Sequence, residues 1–163
     1  MQTVWRIVTR RFAAAAFDGE GARRFGGRWN RAGDAMVYSA QSHSLALLEM
    51  LVQDEPLRAH YLLIPAQLPA NLSITHIKAD QLDPQWRHLE GRQSLQAIGH
   101  QWLQDAQSCV LQVPSAVMPA EHNFLINPLH PEFSRIKIGQ PETLDSDVRL
   151  LRNLSAPRPI KPV

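Results

Sequence analysis

Glu49 is the side chain in this sequence best suited to do chemistry, because it is the only charge in the apolar run 45–52. In a helix, residues three and four positions apart share a face, so this carboxylate would lie among aliphatic side chains. An ionised acid is costly to bury without a partner. We therefore predict that an arginine pairs with Glu49, and Arg28, which follows Gly26 and Gly27, is the candidate.

Four further features could build a binding site around this carboxylate. Arg28 follows two glycines that allow close approach to the backbone, so it suits a pyrophosphate or a carboxylate, although a tight turn gives the same pattern. Tyr38 ends an apolar strand, from which its ring could stack on a flat ligand. Ser115 follows a strand where it meets a loop, and Asn127 ends another strand just before a proline. The structural alternatives are core packing for Tyr38 and ordinary turn roles for Ser115 and Asn127.

The histidines and the single cysteine form no metal-binding pattern. None of the seven histidines has a partner at His-x-x-x-His spacing, and Cys109 has no second cysteine nearby. A Gly-x-Ser-x-Gly nucleophile motif is also missing from the sequence. We therefore predict a site without a metal.

Length and composition predict one globular domain. The chain has 163 residues, 44% of them hydrophobic and 20% charged, which is enough to bury a core without disulfides. We predict a domain over 1–154 and a flexible tail over 155–163, where prolines accumulate. One cysteine favours the cytosol, and no segment reaches membrane-spanning length. A cytoplasmic protein that does not enter a membrane is expected.

The positive charge is concentrated near the N-terminus. The net charge is only +2, yet the first 31 residues contain seven arginines and two acids. Arginine favours bidentate contacts with phosphate or carboxylate, so this region suits an anionic ligand. A solvated basic surface is the alternative for Arg10, Arg11, Arg23 and Arg24. A nucleic-acid-binding regulator or RNase is another interpretation, but the basic excess is small and no recognition-helix or aromatic RNA-binding motif is present.

Periodicity predicts more strands than helices. Helices are expected from Ser42 or Ser44 to about 53 and over 92–105. A glycine-rich loop is expected over 17–34. Strands are predicted near 4–8, 36–39, 61–65, 72–77, 110–113, 124–126, 134–138 and 148–151. This content predicts an α+β fold in which a few helices pack on a split, mainly antiparallel sheet.

Six short segments follow one another in a specific order along the chain. They are 26–30 (Gly-Gly-Arg-Trp-Asn), 37–39 (Val-Tyr-Ser), 45–49 (Leu-Ala-Leu-Leu-Glu), 98–103 (Ile-Gly-x-x-Trp-Leu), 113–117 (Val-Pro-Ser-Ala-Val) and 123–131 (Asn-Phe-Leu-Ile-Asn-Pro-Leu-His-Pro). This ordered set resembles the RES domain family over nearly the whole sequence, and it includes the arginine, glutamate and serine that give the family its name.

This resemblance implies a growth-inhibiting toxin of a bacterial type II toxin–antitoxin pair. It implies a fold related to ADP-ribosyltransferases and depletion of NAD+ by hydrolysis or phosphorolysis, with ADP-ribosylation of a protein target as the alternative. The implied partner is an antitoxin with an Xre-type helix-turn-helix region, through which alone DNA is contacted. A toxin homodimer inside a larger complex is also implied. Water, phosphate and protein all remain open as acceptors of the ADP-ribosyl group.

The resemblance also implies four site residues: Arg28, Tyr38, Glu49 and Ser115. Glu49 would stabilise the positive charge that develops on ribose as the nicotinamide–ribose bond breaks, with Arg28 and Ser115 completing the catalytic set. We hypothesise that Arg28 holds a phosphate and Glu49, that Tyr38 stacks on nicotinamide, and that Ser115 hydrogen-bonds ribose or phosphate. Asn127 is predicted to join the dinucleotide-binding set, and Ser134 is the alternative site serine.

A catalytically silent binding domain is the remaining alternative. In that case Arg28 and Glu49 would be a structural ion pair. Replacing either residue would then lower stability rather than NAD+ consumption alone.

Overall fold

The computed structural model describes residues 1–53, 60–147 and 150, which form an eight-stranded sheet and three α-helices. The strands are β1 (Gln2–Thr9), β2 (Val37–Ala40), β3 (Tyr61–Leu68), β4 (Ile74–His76), β5 (Val110–Pro114), β6 (His122–Ile126), β7 (Lys137–Ile138) and β8 (Glu142–Thr143). The helices are α1 (Glu20–Phe25), α2 (His43–Leu51) and α3 (Arg92–Asp105). Four 3-10 helices lie between them, at Arg10–Ala15, Ala79–Gln81, Leu89–Gly91 and Pro131–Arg135.

The sheet is mainly antiparallel and nearly divides in two. Its strand order is β4-β5-β6-β2-β1-β3-β7, with β8 also paired to β3, and only the β4–β5 pair is parallel. β1 pairs with β3 along its whole length, from Gln2 to Thr9. Between β1 and β2, however, the register holds a single pair, Trp5 with Ala40. The predicted α+β class with a split, mainly antiparallel sheet is confirmed.

Apolar residues on the strands form two main core clusters. One cluster includes Val4, Val37 and Phe124, and the other packs α3 against the second sheet face through Leu95 and Trp102. Cys109 is fully buried within the first cluster, one residue before β5. Burial of this much aliphatic and aromatic surface is the main favourable contribution to folding.

Each long helix has a clear local cause. The Ser42 hydroxyl accepts a hydrogen bond of 3.1 Å from the Leu45 amide and so caps α2. In α3, Leu95, Gly99 and Trp102 are buried and recur at helical spacing. A Cβ atom on Gly99 would lie 1.8 Å from the Trp29 carbonyl oxygen, so this helix rests directly on the segment 26–30. No helix in the described ranges is long and apolar enough to cross a membrane.

The main error of the sequence-based elements is the strand predicted over 134–138. Its first two residues end the 3-10 helix Pro131–Arg135, and only its last two, Lys137 and Ile138, form the strand β7. The cause is local: Pro131 opens the turn, and the His130 ring accepts a hydrogen bond of 3.1 Å from the Glu132 amide. The predicted loop 17–34 contains α1, which was not foreseen. The strand predicted over 148–151 and the tail over 155–163 fall outside the described residues, Leu150 excepted.

Candidate active site

The helix α2 brings Glu49 to the wall of a cavity. Leu45 and Ala46, one turn earlier, are buried and pack against Trp5 and Ile7 of β1. This contact fixes the helix on the sheet. The carboxylate is therefore placed by a rigid element rather than by a loop.

Two neutral donors hold the Glu49 carboxylate. The Ser115 hydroxyl donates to Glu49 Oε1 over 2.7 Å, and Asn123 Nδ2 donates to the same oxygen over 2.6 Å. Oε2 makes no hydrogen bond within the described part of the chain. The carboxylate is thus fixed in orientation through Oε1 by two neutral groups, while Oε2 is left available.

The predicted ion pair between Arg28 and Glu49 is wrong. Arg28 Nη1 donates instead to the carbonyl oxygens of Trp86 and Arg87, each over 3.2 Å. No cation lies within 4.0 Å of the Glu49 carboxylate among the described residues. The acid needs no cation in contact because Ser115 and the amide of Asn123 already solvate one of its oxygens.

Ser115 lies behind the carboxylate rather than on the cavity wall. It is fully buried, and its oxygen accepts hydrogen bonds from the amides of Val117 and Met118, over 3.1 and 3.0 Å, while it donates to Glu49. This full set of partners leaves no capacity for the predicted contact with ribose or phosphate. Ser134, the alternative serine, is exposed on a 3-10 helix. The geometry therefore makes Ser115 a positioning residue for Glu49.

The segment 26–30 is held in place by Tyr38 and Asn30. The Tyr38 hydroxyl donates to Asn30 Oδ1 over 2.7 Å and accepts from the Trp29 amide over 3.0 Å. Asn30 is fully buried, and its Nδ2 donates to three backbone carbonyl groups. A Cβ atom on Gly27 would lie 2.5 Å from the Tyr38 hydroxyl, so glycine is needed for this close approach. These contacts order the loop that carries Arg28.

Tyr38→Phe should lower the free energy of unfolding by about 1–3 kcal/mol, because Asn30 Oδ1 would be left buried without its donor. Burial also raises the pKa of the Tyr38 hydroxyl above its ordinary value, so the group stays neutral and able to donate. Urea denaturation of the variant and the parent chain measures this difference. A change below about 0.3 kcal/mol would contradict the assigned role of the hydroxyl.

The cavity itself is sized and charged for an anionic small molecule. Its volume is about 660 Å³, within the range of ligand-binding pockets. Glu49 and Asn123 share its wall with Arg6, Arg28 and Arg92. Three guanidinium groups face one carboxylate, so the cavity is electropositive around a single fixed negative charge.

Apolar residues stand at the entrance of this cavity. Phe25 and Leu89 belong to its wall and yet are 84% and 78% exposed. Trp29, Met36 and Tyr38 add apolar surface deeper inside. The site can therefore accept flat rings as well as phosphate groups.

Comparison with known proteins agrees with these features. Residues 3–147 match the family described as the RES domain. The chain belongs to the RES domain family. It is 36% identical over 150 residues to a Yersinia enterocolitica (serotype O:8 / biotype 1B) protein named Toxin Res. This match covers 90% of this chain and 98% of that protein. It is also 36% identical over 155 residues to a Sphingobium (strain YBL2) protein named Prs ADP-ribosylating toxin, covering 91% and 96%.

A solved structure shares the fold of this RES domain. The crystal structure of the M. tuberculosis MbcT-MbcA toxin-antitoxin complex contains a chain that superimposes with a TM-score of 0.75 at 22% identity. The match covers 94% of this chain and 88% of that one. At this identity the likeness concerns the fold alone.

Asn127 does not line the cavity of this RES domain. Its side-chain oxygen accepts a hydrogen bond from the Leu129 backbone amide over 3.0 Å, and its backbone amide donates to the Cys109 carbonyl oxygen over 2.9 Å. Asn127 therefore shapes the turn after β6. Asn123, at the other end of the same apolar segment, contacts the carboxylate instead.

Sequence reasoning also missed Arg6 and Asn30 as parts of this site. Arg6 could have been found, because Val4 and Val8 flank it on the buried face of an alternating strand, where a cation is unusual. Asn30 belongs to the segment 26–30 of the family resemblance, yet nothing in its spacing predicts that its side chain donates to three backbone carbonyl groups. No group of three or more His, Cys, Asp or Glu side chains in the described ranges could hold a metal ion.

Proposed function

We propose that this RES domain cleaves the nicotinamide–ribose bond of NAD+. The observation that carries the proposal is the Glu49 carboxylate, which is held through one oxygen by Ser115 and Asn123 in a cavity lined by three arginines. A fixed carboxylate stabilises a developing sugar cation, and guanidinium groups bind the phosphates of a dinucleotide.

Glu49 would act on the transition state of this reaction. As the bond breaks, its electron pair leaves with the ring nitrogen of neutral nicotinamide, and positive charge develops at C1′ of the ribose. The free oxygen of Glu49 is available to face that charge. Because Ser115 and Asn123 already fix the carboxylate, little reorganisation is needed when the charge forms.

Arg28 and Tyr38 would bind the dinucleotide. Only Nη1 of Arg28 is hydrogen-bonded to described residues, so its remaining N–H groups are available to a phosphate oxygen. The hydroxyl of Tyr38 is used by the loop, which leaves the ring for stacking on nicotinamide. The two residues would thus contact different parts of one ligand.

We further propose that the protein is the toxin of a toxin–antitoxin pair. Relatives named Toxin Res support this role, as does the shared fold with a chain of a toxin–antitoxin complex. The expected partner is an antitoxin with an Xre-type helix-turn-helix region, through which DNA is contacted, around a toxin homodimer in the cytoplasm. Arg23 and Arg24 do not favour direct nucleic-acid binding, because both donate to Glu20.

ADP-ribosylation of a protein is a second candidate function. It uses the same bond cleavage with a protein side chain as acceptor, and the Sphingobium relative named Prs ADP-ribosylating toxin favours it. The open cavity entrance at Phe25 and Leu89 would allow a protein surface to approach. The two candidates differ only in the acceptor.

Product analysis tests both candidates. The purified full-length chain is incubated with NAD+ in phosphate-free buffer, with inorganic phosphate, and with bacterial protein extract, and nicotinamide is quantified by chromatography. We expect nicotinamide release in at least one condition. The accompanying product should be free ADP-ribose, the phosphate ester of ADP-ribose, or ADP-ribosylated protein. Intact NAD+ in all three conditions would overturn the proposal.

A further inference from the structure

Arg6 is a half-buried cation without a counter-ion among the described residues. Its Nη1 donates to the Tyr38 carbonyl oxygen over 2.7 Å, whereas Nε is buried and has no hydrogen-bond partner in the ranges that the structure describes. No carboxylate lies within 4.0 Å of its guanidinium in the described part of the chain. Desolvation by burial lowers the pKa of Arg6 to about 10, with a smaller opposing effect from Asp18. The group remains charged near neutral pH.

Bridging the split sheet does not account for this charge. β1 and β2 pair only at Trp5 and Ala40, and the hydrogen bond from Arg6 to the Tyr38 carbonyl is a second link between these strands. One N–H group satisfies that carbonyl, and a neutral donor would suffice. Even partial burial of a positive charge with no partner for its Nε is costly, so the charge indicates an anion that completes the site.

Arg6 stands where two cavities meet. The large cavity of about 660 Å³ and a second one of about 190 Å³ share Arg6, Glu49 and Asn123 in their walls. The second cavity also includes Trp5 and Ala40, at the single pair that joins β1 to β2. An anion held by Arg6 would therefore lie beside the proposed catalytic carboxylate.

We propose that Arg6 binds a phosphate group in this site. The inference rests on the proposed function and names two sources of that group. One is the diphosphate of the dinucleotide in the large cavity. The other is free inorganic phosphate that acts as acceptor from the smaller cavity, whose volume is below the range of about 300–1,000 Å³ typical of drug-sized ligands but sufficient for a small oxyanion.

The acceptor route is a balanced transfer. A phosphate oxygen gives an electron pair to C1′ of the ribose, the bond from C1′ to nitrogen breaks, and its pair goes to the nicotinamide ring. The products are neutral nicotinamide and the 1-phosphate ester of ADP-ribose, with any remaining phosphate proton released to solvent. No oxidant or reductant is needed.

Steady-state kinetics of Arg6→Lys and Arg6→Gln test the proposal, with NAD+ varied at fixed phosphate and phosphate varied at fixed NAD+. We expect KM for either NAD+ or phosphate to rise at least about tenfold in Arg6→Gln, because a charge-assisted hydrogen bond is lost. Arg6→Lys should recover part of this loss. A raised KM for NAD+ identifies the diphosphate, and a raised KM for phosphate identifies the acceptor. Arg11→Gln, which removes an exposed arginine outside the cavity, is the matched control and should match the parent chain.

KM values within about twofold of the parent in both Arg6 variants would overturn the proposal. Since Arg6 also bridges two strands, a measurement without a variant is needed as well. Crystals of the full-length chain grown with inorganic phosphate or with ADP-ribose should show a phosphate oxygen hydrogen-bonded to the Arg6 guanidinium. Phosphate groups found only elsewhere would contradict the inference, and this result does not depend on NAD+ cleavage.

Discussion

Glu49→Gln should lose about a thousandfold in kcat for nicotinamide release while the protein stays folded. The amide has the size of the carboxylate, and its oxygen can still accept from Ser115 and Asn123. It carries no charge, however, and cannot offset the positive charge on ribose. Nicotinamide release at saturating NAD+ measures the effect on kcat, and thermal unfolding shows whether the fold is retained.

Glu142→Gln is the matched control for that experiment. Glu142 is exposed on β8, so the variant loses the same charge at a surface position. Its kcat should equal that of the parent chain. A kcat of Glu49→Gln within about tenfold of the parent value would exclude Glu49 as the main stabiliser of the transition state.

Gly99→Ala should lower the free energy of unfolding by about 3 kcal/mol or more, the upper part of the range for overpacked sites. The added Cβ would lie 1.8 Å from the Trp29 carbonyl oxygen, a backbone atom that can move only with the whole segment 26–30. α3 would therefore separate from the loop that carries Arg28. Urea denaturation measures the loss, and we also expect a higher KM for NAD+.

Gly21→Ala provides the comparison for this substitution. Gly21 lies in α1, and a Cβ atom there would meet no heavy atom within 4 Å. Alanine favours helix over glycine, so this variant should be as stable as the parent or slightly more stable. If Gly99→Ala were equally harmless, α3 and the segment 26–30 could not be in the contact described here.

The residue types of the site were predictable, but their contacts were not. A lone charge in an apolar run identified Glu49, and the family resemblance gave Arg28, Tyr38 and Ser115. The partner of Glu49 was mispredicted as Arg28 because the two actual donors come from positions 66 and 74 residues away. Side-chain amides and hydroxyls can solvate a carboxylate as well as a cation can, and sequence spacing does not distinguish them.

The elements were predictable where one periodicity was strong. α3 was predicted with the bounds that it has, because Leu95, Ile98 and Trp102 recur at helical spacing. α1 was missed because a six-residue helix is too short for a periodic signal and lies between Gly19 and Gly26, both of which have positive φ. The strand predicted over 134–138 forms only at Lys137 and Ile138, because the 3-10 helix that begins at Pro131 extends to Arg135.

The central claim is that Glu49 acts on the transition state rather than on the binding of NAD+. The most direct test is calorimetric titration of NAD+ into Glu49→Gln, with nicotinamide quantified in the same samples. We predict saturable binding, with a dissociation constant within about threefold of the parent KM, and almost no nicotinamide. Nicotinamide release at the parent rate, or a folded variant that does not bind NAD+, would contradict the claim.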